Sequence, residues 1–330
     1  MSSAAEVQPT EVKARATPWL EAYRPVRLSE VVGQTKAVQL LQKVLSLQSS
    51  MPHLLLHGPP GTGKTSTILA LARQLYQKPE YVHSNVLELN ASVERGIDVI
   101  RERVKVFAKL KVAGFEGHHC PFKLVILDEA DNMTLDAQHA LRRLMETTVA
   151  NTRFCLMCNH LTRMTDPILS RVVTLRYEPL TPAQILGQLE RVAREEKSDL
   201  KAVDLQQMAQ MAQGDMRRAL SWLHQAHSCQ SARGHHLNMD LVLDRVPSWL
   251  IESILMSLAE GTYSSCLMAA QECVWSAYLP TEILESLMQR LMPTPLFENQ
   301  VKFIAETEER LREGADPCIQ LCSFFLRLCF

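Results

Sequence analysis

Short apolar runs alternate with stretches of helical period through the first half of the chain. His53–His57 (HLLLH) is an apolar run that stops at glycine and proline, and Ser66–Tyr76 (STILALARQLY) follows with apolar residues at helical spacing. Val86–Leu89, Leu124–Leu127 and Phe154–Cys158 predict further buried strands. Ile97–Leu110 and Ala137–Glu146 predict helices between them. Strands and helices alternating at this spacing imply right-handed crossovers, hence an α/β fold with a parallel sheet covered by helices on both faces. A ligand would sit at the carboxyl ends of such strands.

The pattern changes after Tyr177. Glu178–Gln184 (EPLTPAQ) supplies two prolines and a helix-starting threonine, and helical periodicity then runs to the end of the chain. A second break falls at Asp244–Pro247. The reading is a small, polar N-terminal tail over 1–17, a sheet-bearing core over 18–178, a helical segment over 179–245 and a second one over 246–330. With 330 residues and 46% hydrophobic content, the chain has material for two or three domains and can bury a core without disulfides. The nine cysteines are an odd number in a chain with no apolar signal core, which predicts reduced thiols and a cytosolic or nuclear compartment. No apolar run approaches the ~18–20 residues that span a bilayer, so no membrane is expected as partner. Lys and Arg number 35 against 36 Asp and Glu, so any contact with nucleic acid must come from a local basic patch.

Gly58–Thr65 reads GPPGTGKT, the phosphate-loop pattern in its required setting of strand before and helix after. The run Gly58, Pro59, Pro60, Gly61, Thr62, Gly63, Lys64, Thr65 and Ser66 is the candidate nucleotide-binding segment, with backbone N–H groups and a helix N-terminus turned on phosphate. Lys64 would reach the β- and γ-phosphates of ATP, and the Thr65 hydroxyl would hold Mg²⁺. Leu124–Asp131 (LVILDEAD) puts carboxylates just past a strand: Asp128 is the expected second magnesium partner and Glu129 the group that orients or deprotonates the attacking water. Asp131 is left without a role.

Several runs, in order, resemble the replication factor C small subunits of eukaryotes and archaea. They are PWLEAYRP (Pro18–Pro25), VVGQ, GPPGTGKTS, LELNAS, FKLVILDEAD, ALRRLME, TRFCLMCN, ILSR and QGDMRRAL, covering residues 18–225. The resemblance implies an AAA+ ATPase core followed by a helical lid and a helical collar that assembles subunits. It implies a hetero-pentamer with other replication factor C subunits that uses ATP to open a sliding clamp and load it on primer-template DNA in the nucleus. By the same resemblance Leu20, Arg24 and Val32 border the base, Asn159 is the first sensor of the γ-phosphate, and Arg217 is the second, reaching from the lid. Ser170-Arg171 matches the motif whose arginine enters the neighbouring subunit's ATP site. This chain departs from the family at Val172, where a cysteine is usual, at Ala22 for lysine and at Val93 for aspartate. Since the arginine carries the charge, Val172 touches packing more than trans catalysis.

On the predicted helix, Arg101, Lys105 and Lys109 recur every four residues and share one face, and Arg95 precedes them. In the resembling family this helix tracks DNA phosphates, contacts that are independent of sequence and sensitive to salt. Gln138–Glu146 resembles the helix that faces the clamp, although Arg142 and Arg143 fit pairing across a subunit boundary equally well. Other signals read as ordinary structure. Cys155-x-x-Cys158 lies within a strand, where residues three apart face opposite ways. His118-His119-Cys120 reads as loop, Cys318 and Cys322 as a helical core face, and Trp222 and Trp249 as packing residues. A different AAA+ remodeller, such as a branch-migration motor or helicase loader, is the alternative function.

Overall fold

The computed structural model describes residues 18–47, 51–92, 97–110, 120–148, 150–233, 239–243, 245–276, 278–291 and 297–329. The 1–17 tail, Val93, Arg95, His118 and His119 lie outside the described residues, as does Asp244 at the second break. The chain divides into two compact units, 1–234 and 235–330.

The first unit is built on five parallel strands: β1 (Leu54–His57), β2 (Val86–Asn90), β3 (Lys123–Asp128), β4 (Thr152–Cys158) and β5 (Val173–Arg176), in the spatial order β2-β3-β4-β1-β5. Alternation along the strands sorts their side chains into two cores. Leu54, Leu56, Leu124, Ile126, Cys155 and Met157 face a cluster completed by α2 (Thr35–Leu47) and α3 (Lys64–Tyr76). Leu55, Val125, Leu127, Phe154, Leu156 and Cys158 face the other, completed by α5 (Ile97–Lys109) and α6 (Leu135–Thr147). Helices therefore cover both faces. Each fully buried leucine of β1 contributes on the order of 1.5–3 kcal/mol, so this strand is fixed from both sides. Cys155 and Cys158 fall in different cores, and burial pushes the Cys158 thiol up to about 11, so the pair is unfit for redox exchange.

Two elements do not stand out in the sequence. β5 is an edge strand with only Leu175 buried, so its apolar signal is weak. The helix α4 (Pro79–Asn85) is short and polar, opened by its proline, and joins α3 to β2.

After β4 come α7 (Asp166–Leu169) and β5, then three longer helices: α8 (Pro182–Glu195), α9 (Ala202–Met211) and α10 (Met216–Arg233). α8 starts where the sequence places it, on a capping box in which Thr181 Oγ1 accepts from the Gln184 N–H at 3.3 Å and Gln184 Oε1 from the Thr181 N–H at 3.0 Å. Ile185, Leu189, Leu205, Met208, Ala219 and Leu223 form the buried faces of this trio. The short α1 (Trp19–Ala22) packs on α10.

The second unit comprises α11 (Met239–Val242), α12 (Ser248–Ala259), α13 (Tyr263–Trp275), α14 (Pro280–Leu291), α15 (Phe297–Arg312) and α16 (Pro317–Cys329). Its core joins Leu250, Ile254, Cys266, Ala269, Leu287, Phe324 and Phe325, and takes in Cys318 and Cys322 as the helical spacing predicts. Trp222 is buried in the first unit, with the Arg218 guanidinium 5.0 Å over its ring. Trp249 corrects the reading of it as a packing residue: it is 60% exposed, because α12 turns Leu250, Ile251 and Ile254 inward.

Candidate functional site

Three neighbouring strands end side by side. Because β4 lies between β1 and β3, the turn after β4 stands between the loop that follows β1 and the carboxylates that follow β3. The first loop enters α3 through Gly63, whose φ of +93° suits glycine, and a Cβ there would meet no heavy atom within 4 Å. The space beside Gly63 is therefore open.

Lys64 is buried, 8% exposed, and its ammonium donates to the carbonyls of Gly58 and Pro59, both at 2.7 Å, and to Asn159 Oδ1 at 3.0 Å. Burial holds its pKa below the usual lysine range, opposed by the nearby Asp128 carboxylate. Thr65 Oγ1 donates to Asp128 Oδ2 at 2.9 Å, which brings a hydroxyl and a carboxylate together at the helix N-terminus. Oxygen ligands of this type suit a hard divalent cation, and an open loop of amides ahead of a 13-residue helix suits phosphate, so the residues present fit both groups. Glu129 has left-handed backbone, φ +52°, a conformation that costs about 1–2 kcal/mol for such a residue. Its carboxylate is held by Asn132, whose Nδ2 donates to Oε2 at 3.0 Å.

A cavity of about 330 Å³ joins these groups. Pro60 to Ser66, Asp128, Glu129 and Asn159 line it from the sheet side, Leu20, Arg24 and Val32 from the N-terminal segment, and Arg217 with Met216 from α10. Gly58 and Pro59 are not among the lining residues; their carbonyls accept from Lys64 beside the cavity. Arg24 also makes a 2.8 Å ion pair with Glu21. Arg171 is not among the lining residues; its Nη2 lies 2.6 Å from Glu146 and its Nη1 donates to the Pro167 carbonyl at 2.7 Å. Of the basic stripe, Lys105 is exposed on α5 beside Arg143 and His139 of α6. Arg101 and Lys109 belong to the same helix at four-residue spacing. Arg142 pairs within its own helix, with Glu146 at 3.1 Å.

Several contributors have no role in the sequence reading. Asp131 is buried, and its Oδ2 accepts the N–H groups of Asn159 at 3.2 Å and His160 at 3.1 Å, fixing the turn that presents Asn159. Asp215 Oδ1 caps α10 by accepting from the N–H groups of Arg217 at 2.8 Å and Arg218 at 3.2 Å. An aspartate just before a helical run is a signal that marks such a cap. Beside it the Met216 N–H donates to the Gly61 carbonyl at 3.2 Å, and a Cβ on Gly61 would overlap the Asp215 carboxylate. Gln34 spans the strand-to-lid linker, donating to the Glu178 carbonyl at 2.7 Å and accepting from the Glu178 N–H at 3.1 Å.

Truncating Asp131 leaves two backbone amides of the Asn159 turn without their acceptor. Asp131→Ala is expected to lower stability by about 1–3 kcal/mol and to depress ATP turnover together with it. Urea unfolding alongside a phosphate-release assay checks both; wild-type stability would show that the turn holds itself.

Residues 54–180 match the family described as "ATPase family associated with various cellular activities (AAA)". Solved structures of a Thermotoga maritima RuvB Holliday junction branch migration motor share the fold, with a TM-score of 0.54, 16% identity, and 72% of this chain and 79% of that chain covered. Similarity in sequence is far higher elsewhere. The chain is 40% identical over 321 residues to replication factor C subunit 2 of Schizosaccharomyces pombe, covering 94% of each protein. It is 38% identical to human replication factor C subunit 4 over 94% of this chain and 87% of that one, and 43% identical to human subunit 5 over 74% and 72%. Identity at this level over nearly the whole length, on a phosphate loop with its partner carboxylates assembled, means that the chain belongs to the replication factor C subunit family, as an AAA+ ATPase subunit of a multi-subunit clamp loader that acts on DNA.

Proposed function

We propose that the chain hydrolyses ATP at this cavity as one member of a hetero-pentamer that opens a sliding clamp and places it on primer-template DNA in the nucleus. The observation that carries the chemistry is the convergence of Lys64, Thr65, Asp128 and Asn159 on adjacent strand ends.

In this reading the loop amides and the Lys64 ammonium take the β- and γ-phosphates, exchanging the carbonyl contacts of Lys64 for a charged partner. Leu20, Arg24 and Val32 border the base. Thr65 and Asp128 hold Mg²⁺, which when bound supplies positive charge that offsets the charge on the phosphate oxygens. Glu129 orients a water and accepts its proton; as the water oxygen bonds to the γ-phosphorus, the bond to the β–γ bridging oxygen breaks and its electron pair leaves with ADP. Asn159 uses Oδ1 on Lys64, so its amide N–H₂ is left to steady the γ-phosphate or the water. Arg217 approaches the phosphates from the lid, and Arg171 serves a neighbour's site. The working division is a tail over 1–17, an ATPase core over 18–178, a lid over 179–245 and a collar over 246–330. Arg95, Arg101, Lys105 and Lys109 follow DNA phosphates, and α6 faces the clamp. A branch-migration motor is the weaker reading, since likeness to one extends only to the fold.

Glu129→Gln separates binding from chemistry because it keeps shape and hydrogen bonding but cannot take a proton. ATP affinity is expected to stay within about threefold while turnover falls about 100-fold or more. Equilibrium titration beside single-turnover hydrolysis reads the two quantities, and turnover at the wild-type rate would remove Glu129 from the role of base.

A further inference from the structure

The N-terminal segment is continuous in sequence with the sheet-bearing core, yet it is bonded to the helices that follow β5. Trp19 is only 7% exposed, with its ring stacked on His224 of α10 at 4.9 Å and 27° between planes, and set against His227 at 5.0 Å. The Tyr23 hydroxyl donates at 2.7 Å to Glu196 Oε1, at the carboxyl end of α8. A few residues on, the attachment changes: Leu28 is buried in the core under the sheet, and its N–H donates to Gln74 Oε1 of α3 at 3.1 Å. The change of partner therefore falls between Tyr23 and Leu28. The other covalent link between core and helices is the stretch before Thr181, which Gln34 clasps at Glu178.

The same α1 segment lines the cavity through Leu20, Tyr23 and Arg24, while α10 lines it through Met216 and Arg217. Two walls that lie far apart in sequence are thus fastened to each other, with Trp19 set back from the cavity lining. We propose that Trp19, on α10, and Tyr23, on the carboxyl end of α8, are positioning residues that staple the base-side wall to the lid helices, so that contact with the base sets the place of Arg217. The segment Pro18–Arg24 then moves with the helices of the lid. An ATP engaging the base-side wall draws Arg217 to its phosphates, and a nucleotide without a γ-phosphate gains less from the same motion. This inference rests on the reading of Arg217 as a phosphate contact.

The test is a double-mutant cycle on the full chain, with ATPγS and ADP titrated calorimetrically and the melting point without nucleotide recorded beside each. Trp19→Leu with Tyr23→Phe loosens the staple, Trp19→Phe keeps an aromatic ring, and Arg217→Ala is made in each background. In the otherwise native chain Arg217→Ala should lower ATPγS affinity about tenfold and ADP affinity far less. In the loosened chain the preference for ATPγS over ADP should already be reduced, and Arg217→Ala should cost under about twofold more. Trp19→Phe should restore the preference. A staple that serves stability alone would lower the melting point and both affinities evenly, and would leave the full Arg217→Ala effect in the loosened chain; that result overturns the proposal while leaving the Arg217 reading in place. No effect of Arg217→Ala in the native background would sink the reading of Arg217 and this inference with it.

Discussion

Lys64→Ala is expected to lower ATP affinity by about 100-fold or more, since a charge-assisted bond to each of two phosphates goes with it, at roughly 1.5–3 kcal/mol apiece. The free chain should respond less. Lys64 there ties together the Gly58 and Pro59 carbonyls and Asn159, and these can turn to water at the open loop once the ammonium is gone. Burial disfavours the ammonium, and the negative charge of bound phosphate would offset that cost. Thermal melting with and without ATP reads both effects: at ATP about tenfold above the wild-type Kd the wild-type chain should be stabilised, whereas the variant should shift hardly at all. A retained ATP-dependent shift of wild-type size would mean that the amides alone carry the phosphates.

The second large effect is expected at Arg171, and it should appear in a neighbour's active site. Arg171 does not line this chain's own cavity, and its guanidinium is held on an exposed turn by Glu146, Ser170 and the Pro167 carbonyl. Arg171→Ala should therefore leave this chain's own ATP affinity unchanged. In the assembled complex, hydrolysis at the one interface it serves should fall by about 10³-fold or more, the range for an arginine supplied in trans. Complexes in which each partner's own phosphate-loop lysine is intact or replaced, one at a time, locate the loss. An equal loss whichever neighbouring site remains competent, or weaker ATP binding by the isolated variant, would assign Arg171 to a cis or folding role. The exposed ion pair with Glu146 adds little to stability, so any large change in melting would also count against the trans role.

The phosphate loop is legible from residue letters because its chemistry is local. The open turn at Gly63, the lysine after it and the threonine hydroxyl on the next residue all lie within one strand-to-helix junction, where backbone geometry follows from residue type. The strand that ends in Asp128, with Glu129 just past it, is legible for the same reason, as is the Thr181 cap that starts α8. β5 is not, because an edge strand with one buried side chain leaves almost no hydrophobic pattern. Asp131 could not be assigned from its motif, since what it does is accept the amides of residues 159 and 160, and that pairing exists only after β3 and β4 lie side by side. Tyr23 and Glu196 are 173 positions apart, and Trp19 meets His224 and His227 across a still longer separation. No local preference encodes such meetings. They follow from how the buried faces of sheet and helices pack, and that packing, summed over dozens of side chains, is what sets the two walls of the cavity against each other.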